Sequence, residues 1–215
     1  GRFTEALAHN NTIRVLYLNQ NKIRAEGAKQ LATALENNET LQKIGLDGNQ
    51  IGDNGAMSLS TALKVNTSLL EMSINANNIG DDGAESLAAS LKCNNTLRSL
   101  RLRGNKICKG GSQILADALE HNHSIQLLNI DGSRCPMGGG KGAKHATTKI
   151  QTILEDPKRR TRHLELIVAR QEKIIAANEE ELERKDAEIA KKNAQIALLR
   201  ADLEFESHAE KAIEE

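Results

Sequence analysis

The 215-residue chain reads as an α/β solenoid of stacked strand–turn–helix units, followed by one long charged helix. Three observations carry that expectation. Apolar and asparagine positions recur every 28 residues through most of the chain. Aromatic residues are confined to Phe3, Tyr17 and Phe205, which suits a core of many small, similar aliphatic layers. Beyond Pro157 there is no glycine or proline, and an apolar residue returns every seven positions.

Internal repetition decides architecture before local propensity does. Leu41, Leu69, Leu97 and Ile125 are spaced by 28, as are Asn21, Asn49, Asn77 and Asn105, and Gly27, Gly55, Gly83 and Gly111. Each unit opens L-x-x-L-x-L-x-x-N-x-L with conservative swaps: Leu41, Ile44, Leu46, Asn49, Ile51; then Leu69, Met72, Ile74, Asn77, Ile79; then Leu97, Leu100, Leu102, Asn105, Ile107. The first unit begins at Ile13. The fifth keeps Ile125, Leu128 and Ile130 but has Ser133 where asparagine is expected.

The alternating stretch predicts a short strand with one buried face. Asparagine suits the tight turn after it, because its amide can satisfy backbone groups there. The second half of each unit spaces apolar residues as a helix does: Ala28, Leu31, Ala32 and Leu35, then Ala56, Leu59, Ala62 and Leu63. Asp53 and Asp81 are expected to cap their own helices. Asn38, Asn66, Asn94 and Asn122 are expected to close them in left-handed conformation. Residues 3–10 align with the helical half of a preceding unit, with Phe3, Leu7 and Asn10 matching Leu31, Leu35 and Asn38. They are expected to be a minimal cap or the end of a longer array. One unit cannot bury its apolar face alone, but a stack shares a continuous core.

The 28-residue period, the Gly-Ala helix start and the Leu-Ala-x-Ala-Leu-x-x-Asn ending resemble the ribonuclease-inhibitor subclass of leucine-rich repeats, over about residues 1–132. The resemblance implies a horseshoe with parallel strands on the concave side and helices outside. Relatives are mostly protein-binding scaffolds. They include an activator of the Ran GTPase, actin-capping tropomodulins, immune sensors, and ciliary or centrosomal components, and fold alone does not choose among them.

Residues between the buried leucines are expected to line the concave face: Val15, Tyr17 and Asn19; Lys43, Gly45 and Asp47; Glu71, Ser73 and Asn75; Ser99, Arg101 and Arg103; Leu127, Asn129 and Asp131. This row varies while the framework does not. Tyrosine and arginine are enriched among binding hot spots, so Tyr17 and the Arg101/Arg103 patch beside Glu71 are the candidate anchors.

The repeat fails after Ile130. The glycine-rich run 132–144 is not a phosphate loop: Gly140-Lys141 is followed by Gly142 rather than Ser or Thr, and Cys135 stands where the motif needs its first glycine. It reads as a lengthened loop, with a capping helix from His145 to Leu154. Cys93, His121 and His123 lack the spacing of a zinc site. No nucleophile–base pair stands out, so no catalysis and no cofactor are expected. Three cysteines without a disulfide-like pattern point to reduced thiols and an intracellular, cytoplasmic location. No apolar run is long enough for a membrane span. The net formal charge of zero draws the chain toward neither nucleic acid nor membrane.

Domains are expected at 1–155 and 156–215. In the second, Lys158, Arg159, Arg160, Arg162 and His163 form a basic start. Val168, Ile175, Leu182, Ile189, Ile196 and Leu203 form a heptad row, the seam of a coiled coil about 85 Å long at the α-helical rise. The companion row is polar at Gln171, Asn178, Lys185 and Lys192, which favours a particular partner over a second copy. Glu181/Lys185 and Glu188/Lys192 are spaced to pair along one helix. The expected function is a protein–protein scaffold: the concave face binds a protein and the tail docks to a cytoskeletal, ciliary or centrosomal assembly. The alternatives are a small-GTPase regulator like the Ran activator, whose family's tail is strongly acidic where this one is mixed, and the repeat region of an immune sensor or effector.

Overall fold

The computed structural model describes residues 2–133, 135, 150–156, 165, 168–169 and 171–195. Two compact units divide the chain, Gly1–His163 and Leu164–Glu215.

In the first unit, α1 (Arg2–His9) precedes β1 (Val15–Tyr17), α2 (Arg24–Asn37), β2 (Lys43–Gly45), α3 (Gly52–Val65), β3 (Glu71–Ser73), α4 (Asp81–Leu91), β4 (Ser99–Arg101), α5 (Lys109–His121) and β5 (Leu127–Asn129). The strands form one parallel sheet in chain order, β1-β2-β3-β4-β5. Register advances by one repeat at every step, pairing Leu16 with Ile44, Ile44 with Met72, Met72 with Leu100, and Leu100 with Leu128. A helical crossover is what a parallel neighbour requires, and each repeat supplies one. The predicted layers form the core: Leu41, Ile44, Leu46, Ile51, Leu59 and Leu63 are buried, as are their equivalents in the next two repeats.

The turn asparagines form the predicted contacts, but across repeats. Asn77 Oδ1 accepts the N–H groups of Asn49 (2.9 Å) and Ile51 (3.3 Å) in the preceding repeat, while its Nδ2 donates to the Leu46 carbonyl (2.9 Å). Asn49 does the same toward Asn21, and Asn105 toward Asn77. A left-handed position lies just before these asparagines, at Gln20, Gly48, Ala76 and Gly104, and before Ser133 at Gly132, all at φ between 51° and 71°.

Two capping expectations are corrected. Asp53 does not cap its own helix. Its Oδ1 accepts N–H from Gly80 (2.7 Å) and Gly83 (3.0 Å), the start of the next helix, and Asp81 likewise accepts from Cys108 N (2.6 Å). Parallel stacking sets each helix start beside the first turn of its predecessor, where the free N–H groups point at that carboxylate. Asn38, Asn66 and Asn122 are extended rather than left-handed, with ψ between 122° and 130°. They act through the side chain instead. Asn66 Nδ2 donates to the carbonyls of Leu35 (2.7 Å) and Asn38 (3.0 Å), and its Oδ1 accepts from Leu69 N (2.8 Å). Asn94 and Asn122 repeat the pattern.

The expected trio of reduced thiols is also corrected. Cys108 and Cys135 form a disulfide with a Cα–Cα distance of 5.0 Å, and Cys93 is free and exposed. Their separation of 27 looks patternless along the chain, but it is one repeat less one residue, and stacking brings such positions together.

At the far end, residues 150–155 are helical. Ile150 is buried, and Ile153 and Leu154 pack against the core, as a capping segment should. The start of that segment, from His145, lies outside the described residues, as does the glycine run except for Gly132, Ser133 and Cys135.

In the second unit, residues 171–195 are helical and exposed throughout. The predicted pairs form: Lys185–Glu181 at 2.7 Å and Lys192–Glu188 at 2.8 Å. Val168, Ile175, Leu182 and Ile189 are each more than half exposed. Ile196, Leu203 and the basic run 158–163 lie outside the described residues. Among the described residues, no helix is long and apolar enough to cross a membrane.

Candidate protein-binding face

The strand residues that point away from the core form three rows across the sheet, because parallel register with a 28-residue step puts equivalent side chains side by side. The first row is Val15, Lys43, Glu71, Ser99 and Leu127. The second is Tyr17, Gly45, Ser73, Arg101 and Asn129. The third is Asn19, Asp47, Asn75, Arg103 and Asp131.

The third row is largely occupied with itself. Asn19 Oδ1 accepts from Asp47 N (2.8 Å), Asp47 Oδ1 from Asn75 N (2.9 Å), and Asn75 Oδ1 from Arg103 N (2.7 Å). Asp47 also accepts from the Ser73 hydroxyl (2.7 Å) and from Asn75 Nδ2 (3.1 Å). The last member of the row, Asp131, donates its N–H within its own repeat, to Asn129 Oδ1 of the second row at 2.9 Å. Asn19, Asp47 and Asn75 thus extend the strand ladder by side chain, which stiffens this side of the face.

Charge concentrates in the middle. Lys43 Nζ lies 2.7 Å from Glu71 Oε1, and Arg101 lies 3.6 Å from Glu71 Oε2. The Lys43 hydrogen bond holds the Glu71 carboxyl below its ordinary range, against an opposing desolvation. The same bond raises Lys43 above the ordinary lysine range. Glu71 is therefore the centre of a three-residue ion cluster, and Arg101 is its more loosely held cation. Arg103 is exposed beside it.

Tyr17 is 68 % exposed, the largest apolar surface on the face. A Cβ at Gly45 would stand 2.7 Å from Tyr17 Cδ1 and 2.9 Å from Asn19 Oδ1. The ring leans over the space that Gly45 leaves open. Gly45 is thus a positioning residue for Tyr17. The sequence signal was available: glycine stands where the other repeats carry Tyr17, Ser73, Arg101 and Asn129. With Val15 and Leu127 also exposed, the face has apolar ground at both ends and ionic ground between.

Away from this face, His121 Nδ1 lies 3.3 Å from the Asp117 carbonyl. Among the described residues, no group of three or more His, Cys, Asp or Glu side chains is placed to hold a metal ion.

A family profile described as "Leucine Rich repeat" matches residues 9–32, 37–60, 65–88 and 93–111. Among curated proteins no sequence match is found. Among solved structures, the chain is similar to one titled "Leiomodin-1 Actin-Binding Site 2 (ABS2)", with a TM-score of 0.63 and 21 % identity over 78 % of this chain and 94 % of that one. It is also similar to the Caenorhabditis elegans tropomodulin C-terminal domain, with a TM-score of 0.57 and 18 % identity over 78 % of this chain and 95 % of that one. At these identities the likeness concerns the fold, and it agrees with the parallel strand–helix repeats described above. The chain is a leucine-rich-repeat protein with a C-terminal helix.

Proposed function

We propose that this chain is a non-catalytic, cytoplasmic protein-binding scaffold. Its sheet face grips one protein, and its helical tail docks to a larger assembly of cytoskeletal kind. The observation that carries the reading is Tyr17: an exposed aromatic ring on a sheet whose neighbouring side chains are braced against one another. A rigid aromatic with few rotatable bonds loses little entropy on contact, and arginine beside it adds directional hydrogen bonds. Arg101 is the cation available for that role, because Lys43 already occupies Glu71 at short range. The tail supports the second half of the reading. Its apolar row Val168, Ile175, Leu182 and Ile189 is exposed along a helix whose companion row is polar, which suits pairing with a particular partner helix.

The neighbour titled as an actin-binding site makes actin the first protein to test. Cosedimentation of the full chain with filaments, and binding to monomers, should be compared with Tyr17→Ala/Arg101→Glu. Binding that falls at least about tenfold, a loss of ~1.4 kcal/mol, supports the face. Binding that persists unchanged in the double variant removes the face from the mechanism. With no actin binding at all, the same comparison runs by proximity crosslinking in cells, where an unchanged partner set has the same meaning.

A further inference from the structure

We infer that Cys108 and Cys135 form a reversible dithiol–disulfide site, which small thiols such as glutathione open and close, and which latches the fifth repeat onto the fourth. The inference stands apart from the binding reading, because it concerns how the array ends.

The three earlier repeat junctions are bridged by side chains at fixed places, an asparagine at every one and an aspartate at the second and third, Ala25 standing where the first junction would need its aspartate. A turn asparagine reaches back to the preceding turn, as Asn77 does to Asn49 and Asn105 to Asn77. An aspartate reaches forward to the next helix start, as Asp53 does to Gly80 and Asp81 to Cys108. At the last junction both devices fail. The residue 28 after Asn105 is Ser133, whose hydroxyl donates to the Ile130 carbonyl of its own repeat at 2.8 Å. The residue 28 after Asp81 is Lys109, a cation that accepts nothing. The disulfide falls at this junction. Cys135 stands 28 after Ile107, in the slot that Ile51, Ile79 and Ile107 fill with buried apolar side chains. Cys108 is the residue before α5, and its N–H is the one that Asp81 holds. A covalent bond thus takes the place of two lost polar bridges. Unlike the isoleucines, both cysteines are partly exposed, so a small thiol can reach them.

The chemistry balances with two thiols. A thiolate attacks one sulfur of the pair, the Cys108–Cys135 bond breaks, and a mixed disulfide forms. A second thiol displaces the protein sulfur. Two protein thiols and one oxidised thiol dimer result, with the two protons supplied by the attacking thiols. Oxidised glutathione drives the reverse. In the closed form the fifth repeat is tied covalently to the fourth. In the open form, among the described residues, it is held by the β4–β5 ladder, by the backbone hydrogen bonds that extend it (Leu102 N to the Asn129 carbonyl, Gly104 N to the Asp131 carbonyl) and by apolar contacts.

The test uses the full chain carrying Cys93→Ser, equilibrated in glutathione buffers from reducing to oxidising. Alkylation and mass spectrometry should count two reactive thiols at the reducing end and none at the oxidising end. Hydrogen exchange in residues 127–133 should slow roughly tenfold on closing, and Cys108→Ser in the same background should stay at the fast rate in every buffer. Peptide mapping of the unsubstituted chain should find Cys93 free and Cys108 joined to Cys135. Two reactive thiols in every buffer would overturn the inference. So would a bond that millimolar reduced glutathione leaves intact, or a bond that closes without changing exchange in residues 127–133.

Discussion

At the scale of single residues, the asparagines separate structural cost from position. Asn77 is buried, and its side chain makes four hydrogen bonds, three of them across the repeat to Asn49 N, Ile51 N and the Leu46 carbonyl. Asn77→Ala leaves the Asn49 and Ile51 N–H groups buried and unpaired, while the Leu46 carbonyl keeps Asn49 Nδ2, and should cost about 3 kcal/mol. Asn21 is exposed, and its side chain donates within its own turn, to the Leu18 and Asn19 carbonyls. Asn21→Ala should cost under about 1 kcal/mol, since water replaces what is lost. Urea midpoints of the two variants check the contrast, and equal losses would deny the ladder its role. Ala76 offers the opposite change. It sits at φ 51°, in a position where two of its equivalents are glycine in the neighbouring repeats, Gly48 and Gly104. A Cβ in the left-handed region carries a steric cost that glycine does not. Ala76 is exposed, so no core contact is lost. Ala76→Gly should stabilise by about 1 kcal/mol, read as a raised urea midpoint.

At the scale of elements, the strands and helices were legible because their cause is periodic. Leu41, Leu69 and Leu97 recur since every repeat meets the same layer, and parallel register follows from equal spacing. What stayed hidden depends on which repeat a side chain reaches. Asp53 looks like a cap for its own helix, and only stacking shows that the free N–H groups in range belong to the next one. Asn66 sits where a left-handed cap is common, yet its amide does the work from an extended backbone. The candidate face was legible as a row of positions but not as a set of partners: Asp47 and Asn75 bind each other, while Tyr17 and Arg101 remain available. The β2–β3–β4 ion cluster gives a pH signature. Glu71 lies below its ordinary range, so its contribution is present above the ordinary carboxylate pKa and is lost as pH falls through the lowered value. Lys43 lies above its ordinary range, so its contribution is present below the ordinary lysine pKa and is lost as pH rises through the raised value. Glu71→Gln should flatten both limbs of the stability profile. The acid limb is worth under about 1 kcal/mol after solvent screening. A profile in Glu71→Gln that matches the parent would place the pH dependence elsewhere.

At the scale of the repeat unit as a whole, stability in a stacked array is a sum over repeats and the junctions between neighbours. A central repeat has two such junctions and a terminal one has a single junction. Leu100 is fully buried in β4, aligned with Met72 on one side and Leu128 on the other. Leu100→Ala should cost about 2–5 kcal/mol and weaken both junctions at once. Leu7 is buried in α1, which packs on α2. Leu7→Ala opens only the first junction. Hydrogen exchange measured peptide by peptide should therefore show lost protection in β3, β4 and β5 for Leu100→Ala, with β1 the least altered strand. For Leu7→Ala the loss should stay within residues 2–37. β1 is paired only with β2 among the described strands, as β5 is only with β4, so Tyr17 stands on an edge strand. Its orientation then depends on Gly45 and the first junction, and Leu7→Ala should weaken binding at Tyr17 while leaving Arg101 in place. Uniform loss of protection across all five strands in both variants would instead mean that the repeats open as one cooperative unit, and the Tyr17 end would be as firmly held as the centre.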